Sequence, residues 1–161
     1  MVNHYRKYVR LLLIVAAILL IDQVTKVLVT QRFSLYENLE VIPGFFNLTY
    51  IRNTGGAFGL LAGEASQLRT GLFLAISCVG MGIIFYLYTR IPPGEPWLDA
   101  GLAMTFGGAL GNLIDRVRFG EVIDFLDFHI GTLHWPSFNV ADSAISVGVG
   151  IFCFYFLFKK R

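Results

Sequence analysis

Charge is scarce in this chain: 15% of its 161 residues are Asp, Glu, Lys or Arg, where a soluble domain carries about a quarter. So little charge cannot cover a soluble surface, and the abundance of apolar residues rules out disorder. Cysteine is nearly absent. Cys78 and Cys153 stand 75 residues apart inside apolar blocks with no Cys-x-x-Cys spacing, which excludes a disulfide framework and a thiolate metal site; they read as small buried hydrophobes. There are three histidines and no His-Glu-x-x-His helix. His129 and His134 lie near Asp124 and Asp127 but fall in a hairpin pattern, so neither a metal nor another cofactor is expected. A Gly-x-Ser-x-Gly elbow, internal repeats and low-complexity stretches are all lacking. Net charge is only +2, with basic residues gathered at the two ends, which argues against a nucleic-acid partner.

What the chain has in abundance is apolar length. Hydrophobic residues make up 55% of it, and mean hydropathy is +0.63. They fall in four blocks, about 11–29, 68–88, 97–115 and 138–158, each close to the ~20 residues that a helix needs to cross a bilayer. The fold class expected is an α-helical membrane protein with four transmembrane helices, forming a single membrane-embedded domain over 1–161. The first block follows Arg6, Lys7 and Arg10 like a signal peptide, but no small-x-small cleavage site follows and the apolar run continues past Asp22, as in an uncleaved span. An even number of spans puts both ends on one side. Seven Lys/Arg lie on that side, clustered at the termini, against five spread through the longer loops; the termini are therefore expected to be cytoplasmic and loops 30–67 and 116–137 to face outward. In the first outer loop, Phe46, Leu48 and Tyr50 alternate with Asn47 and Thr49, and residues 121–138 read as a hairpin around Gly131-Thr132, predicting a small extracytoplasmic sheet at the interface.

Ionisable residues inside a span cost about 2.5–3.5 kcal/mol each on insertion scales and so mark candidate sites. Asp22 and Lys26, four apart, share one helix face near the outer end of the first span, as a functional pair or as a structural ion pair. Gly107 and Gly111 make a small-residue face at the outer end of the third span, followed by Asn112, Asp115 and Arg116 on one face. The fourth block opens with Asn139, Asp142, Ser143 and Ser146, and upstream Asp124 sits in the apolar run Val122-Ile123-Asp124-Phe125-Leu126, three residues before Asp127. Two acids converging in an apolar place would hold one proton between them, which suits water-activating hydrolysis; a structural polar network would use the same residues. A transporter would need polar groups through the bilayer midplane, whereas 73–86 and 147–158 are almost wholly apolar. A scaffold would leave the acids unexplained.

Taken in order, Asp22-Gln23-x-x-Lys26, Asn53-Thr54-Gly55-Gly56-Ala57-Phe58, the run from Gly107 to Arg116, Val122-Ile123-Asp124-Phe125 and Phe138-Asn139-Val140-Ala141-Asp142-Ser143 closely resemble the bacterial lipoprotein signal peptidase family, signal peptidase II. One departure is Gly56, where the family more often has Ala. The resemblance implies an aspartic endopeptidase that removes signal peptides from diacylglyceryl-modified prolipoproteins, cutting just before the lipidated cysteine, with an interfacial sheet as a cradle beside the helices. It further implies Asp124 and Asp142 as the catalytic dyad, with Asn53, Asn112, Arg116 and Asn139 orienting substrate and dyad, and Asp22, Lys26 and Asp115 supporting them. No metal is implied. The protein would be a monomer in contact with membrane lipid, multi-pass in the bacterial inner membrane, with its site at the outer face.

Overall fold

The computed structural model describes residues 2–55, 67–92 and 94–158. Residues Gly56, Ala57 and Phe58 of the Asn-Thr-Gly motif, and the basic cluster Lys159, Lys160 and Arg161, lie outside them. The elements run α1 (Val2–Arg32), β1 (Asn38–Ile42), β2 (Phe46–Asn53), α2 (Gln67–Arg90), α3 (Pro96–Phe119), β3 (Val122–Ile130), β4 (Leu133–His134) and α4 (Val140–Phe158). Among the described residues, α1, α2 and α4 contain stretches long and apolar enough to cross a membrane. α3 completes the four: its 24 residues make a helix about 36 Å long, but Asp99, Asn112, Asp115, Arg116 and Arg118 lower its hydropathy. It tolerates them because it is the central helix, packed against α1, α2 and α4.

α1 starts well before its apolar block, because Lys7 and Arg10 find partners at the end of the bundle away from the sheet. Lys7 Nζ donates to the Ile91 carbonyl at 2.9 Å, Tyr88 Oη donates to the Lys7 carbonyl at 2.7 Å, and Arg10 pairs with Asp99 at 3.0 Å. Leu11, Tyr88, Ile91, Leu98, Leu102 and Ala103 form the apolar core there. Many large apolar side chains of α1, α2 and α4 remain exposed, as lipid-facing surfaces require. Cys78 and Cys153 are among the outward-facing positions, correcting the sequence expectation that they are buried.

α3 and α4 approach closely through glycine. A β-carbon at Gly108 would collide with the Ala141 carbonyl oxygen, and one at Gly148 with the Gly101 carbonyl oxygen. Gly107, the first member of the expected small-residue face, looks instead toward Val15 and Ile18 of α1.

The strands form a four-stranded antiparallel sheet in the order β1-β2-β3-β4, with Asn47 opposite Asp127 and Asn53 opposite Val122. β2 alternates as expected, but its polar face is not the open one. Asn47 and Thr49 are buried, Asn47 against Asp127 and Thr49 with its hydroxyl donating to the Glu37 carbonyl at 3.1 Å. β1 alternates polar and apolar over Asn38-Leu39-Glu40-Val41 but is exposed along its whole length. A second core of Val29, Tyr50, Ile123 and Phe125 ties the sheet to α1. Between the two cores lies a polar layer.

Candidate functional site

That layer is built where the C-terminal halves of α1 and α3 meet the start of α4 and the sheet. Lys26 is its buried cation. Its ammonium lies 2.9 Å from Asp22 Oδ2 and 2.8 Å from Asp115 Oδ2, and donates to Asn112 Oδ1 at 3.3 Å. Lys26, Asp22 and Asp115 are each at most 2% exposed; charges so buried are tolerable only when every lone pair has a donor. The donors are present. Asp22 Oδ1 accepts the Ala141 backbone N–H at 3.0 Å, and Asp115 Oδ2 accepts that of Ile123 at 3.2 Å. Gln23 gives its amide to Asp22 Oδ2 at 3.2 Å and to Asp115 Oδ1 at 3.0 Å. A side chain at Gly111 would bring its β-carbon to 2.7 Å from Asp22 Oδ2, so the space for this pair depends on the second glycine of the expected face.

Beside the charged layer stand three asparagines, Asn112 bonded directly to Lys26 and Asn139 bonded to Asn112, and the three hold two further carboxylates. Asn112 Oδ1 accepts from Lys26, which turns its amide nitrogen toward Asp142 Oδ1 at 2.7 Å. Asn139, wholly buried, caps α4: its Oδ1 accepts the Asp142 N–H at 2.9 Å while Asp142 Oδ2 accepts the Asn139 N–H at 3.2 Å, the reciprocal arrangement of a capping box. Its amide nitrogen donates to Asp124 Oδ1 at 2.7 Å. Asn53, at the end of β2, uses Oδ1 to take the Gly55 N–H at 2.9 Å and its amide to reach Asp124 Oδ2 at 3.0 Å. Asp124 on β3 and Asp142 in the first turn of α4 thus line one cleft of about 230 Å³ with Asn53, Asn112, Arg116, Ser146 and the arch Trp135-Pro136-Ser137. Burial, reinforced by the Asp142 carboxylate, pushes Asp124 up to about 7, against the opposing bonds from Asn53 and Asn139 and the charge of Lys26. Arg116 donates to the Gly55 carbonyl at 3.3 Å and lies 5.4 Å from the Phe73 ring centre on α2.

All nine candidate residues fall in this one region, five of them in direct hydrogen bonds to Asp124 or Asp142 or among that pair itself. Asp127 does not join them. It lies in the sheet against Asn47 and His134. His129 stacks on His134 at 4.7 Å, and among the described residues no group of three or more His, Cys, Asp or Glu is arranged to hold a metal ion. Two contributors had no role assigned from the sequence. Gln23 had a legible signal, a second polar residue beside Asp22 within a span; the arch had none, because it belongs to no periodic element.

A family model described as signal peptidase (SPase) II matches residues 14–158. The lipoprotein signal peptidase of Desulforapulum autotrophicum is 50% identical over 155 residues, covering 96% of each chain, and that of Geobacter sulfurreducens is 46% identical over 148 residues, covering 92% of this chain and 91% of its own. A bacterial membrane enzyme solved by the in meso method at 2.3 Å superimposes with a TM-score of 0.82 at 34% identity, over 91% of this chain and 87% of that one. A second such structure, at 1.9 Å, gives 0.80 at 34% identity, over 93% and 94%.

Proposed function

Because the chain belongs to the signal peptidase II family, and is thus a peptidase of a bacterial membrane, we propose that it removes the signal peptide from diacylglyceryl-modified prolipoproteins, cutting just before the lipidated cysteine, with Asp124 and Asp142 as its acid and base. The observation that carries this reading is that the two carboxylates line one cleft from different elements, while Asp124 is raised to about 7 by burial and by its neighbour's charge. One proton is then shared between them near neutral pH.

In the resting pair Asp142 is the ionised member. It accepts N–H donors from Asn112 and Asn139 in the first turn of α4, where the helix dipole favours a carboxylate. Asp124 carries the proton. Asp142 takes a proton from water as the water oxygen attacks the scissile carbonyl, and Asp124 protonates the carbonyl oxygen, giving a gem-diol. Asp142 then passes its proton to the amine nitrogen as the C–N bond breaks, and Asp124 recovers a proton from the diol. Asn53, Asn112 and Asn139 hold the acids in place; Lys26, itself fixed by Asp22 and Asp115, holds Asn112. Arg116, a fixed cation on the cleft wall, is suited to a lipid ester or peptide carbonyl of the substrate.

The site is assigned to the outer face of the inner membrane, with both termini cytoplasmic, on the Lys/Arg bias. Action as a monomer belongs to the same reading. The test is purified protein, in micelles, offered the same prolipoprotein with and without its diacylglyceryl group. Cleavage before the cysteine of the modified substrate alone is expected; equal cleavage of both, or of neither, rejects the substrate assignment.

A further inference from the structure

Apart from the cleft's own acids, β3 carries one more buried carboxylate, Asp127, which is 6% exposed. Three residues from Asp124 along a strand, it belongs to the opposite face. Both of its oxygens are engaged. Asn47, its register partner on β2, donates to Oδ2 at 2.9 Å, and His134 Nδ1 on β4 lies 2.8 Å from Oδ1 and 3.1 Å from Oδ2. Burial works to raise the Asp127 pKa, but the bonds from His134 and Asn47 and the proximity of His134 and His129 outweigh it and hold this carboxyl below the usual range. It is therefore a standing anion to which His134 is tied.

What the tie secures is the stretch immediately after it. β4 has only two residues, Leu133 and His134, both exposed, so apolar burial does little to hold it to the sheet. Trp135, Pro136 and Ser137 follow and form one wall of the cleft that contains Asp124 and Asp142. Backbone bonds fasten this arch at its two ends, Trp135 N–H to the Phe128 carbonyl at 2.8 Å and Phe138 N–H to the Leu126 carbonyl at 3.1 Å. Pro136, in its middle, has no N–H to give.

We propose that Asp127 and His134 form a clasp that positions the Trp135–Ser137 arch against the substrate, making Asp127 a positioning residue for substrate binding and not for bond cleavage. The proposal rests on reading the cleft as the substrate site. The clasp touches neither Asp124 nor Asp142, so its loss should loosen the wall while leaving the acids in place.

The experiment compares wild type, Asp127→Ala, His134→Ala and the double variant on a diacylglyceryl-modified prolipoprotein in micelles. KM is expected to rise about tenfold in each single variant with kcat within about threefold, and the double variant to be no worse than either single, as for two halves of one interaction. His134→Asn, whose amide nitrogen falls where the imidazole Nδ1 was, should restore KM. A fall in kcat with KM intact, or single effects that add, would overturn the clasp. Should Asp127→Ala misfold, His134→Ala carries the same test, since that side chain is 49% exposed. An arm independent of catalysis uses the Trp97→Phe background, in which Trp135 is the only tryptophan. Trp135 is already 58% exposed, so the readout is its mobility: its fluorescence anisotropy should fall on adding His134→Ala and return to the starting value with His134→Asn, and unchanged anisotropy overturns the proposal. A wild type that leaves the prolipoprotein uncut while Trp135 responds in this way supports the clasp and strikes only the peptidase reading.

Discussion

Asn139 and Asp142 hold each other: the side-chain oxygen of Asn139 takes the backbone N–H of Asp142 at 2.9 Å, and the carboxylate of Asp142 takes the backbone N–H of Asn139 at 3.2 Å. The same asparagine gives its amide to Asp124 at 2.7 Å. One side chain therefore starts α4 and spaces the two acids.

The two roles of Asn139 can be separated. Asn139→Ala should lose about 1–2 kcal/mol of stability for the missing cap and at least a hundredfold in turnover. Asn139→Ser keeps a capping oxygen but cannot reach Asp124, so thermal unfolding should recover while turnover stays low. Recovery of both would mean that the bond to Asp124 is idle.

Lys26 is the shared cation of two buried carboxylates. Lys26→Met should destabilise the protein by about 3–5 kcal/mol, because the acids are left buried without their cation. Thermal unfolding in detergent measures it. A loss below 1 kcal/mol would show that water or another cation reaches Asp22 and Asp115.

The glycines at the α3–α4 contact are expected to behave unlike those facing outward. Gly108→Ala meets the Ala141 carbonyl oxygen and should cost about 1–3 kcal/mol by overpacking, with loss of turnover as the first turn of α4 shifts. Gly80→Ala has nothing within 4 Å of the added carbon and should be neutral or stabilising by up to about 1 kcal/mol from helix propensity. The two variants together separate packing from propensity.

Much of this site is legible along the chain because its residues recur at helical spacing. Asp22 and Lys26, or Asn112, Asp115 and Arg116, announce a shared face by being three or four apart. Asn139 and Asp142 announce a helix start in the same way. Contacts between elements leave no such mark: that Lys26 reaches Asp115 across 89 positions, or that Gly148 backs onto Gly101, depends on how helices pack and not on local pattern. β1 is exposed at every position and has no burial period to read. In β2 the alternation is visible, but both faces are covered: Tyr50 joins the second core, while Asn47 and Thr49 are buried by finding partners that sequence proximity does not reveal.

Turnover should depend on pH through Asp124. With its pKa raised from 3.8 to about 7, the proton needed for the carbonyl oxygen is lost above neutrality, and kcat should fall on the alkaline side with an apparent pKa near 7 that belongs to the coupled pair. Stability follows the same sign. Between those two values the folded chain binds the proton and the unfolded chain does not, so this group's contribution is full below about pH 4 and is lost as pH rises through 7. Asp124→Asn should therefore gain in unfolding temperature relative to wild type as pH is raised from 4 to 8. A difference constant across that range would contradict the raised value.

The central claim is that Asp124 and Asp142 together perform the hydrolysis. Its most direct measurement is single-turnover cleavage of a diacylglyceryl-modified prolipoprotein by wild type, Asp124→Asn and Asp142→Asn, with the new amino terminus identified by mass spectrometry. The amides preserve shape and remove the proton chemistry, so each variant should bind substrate, stay folded and cleave at least a thousandfold more slowly. Near-normal cleavage before the lipidated cysteine by either variant would contradict the account.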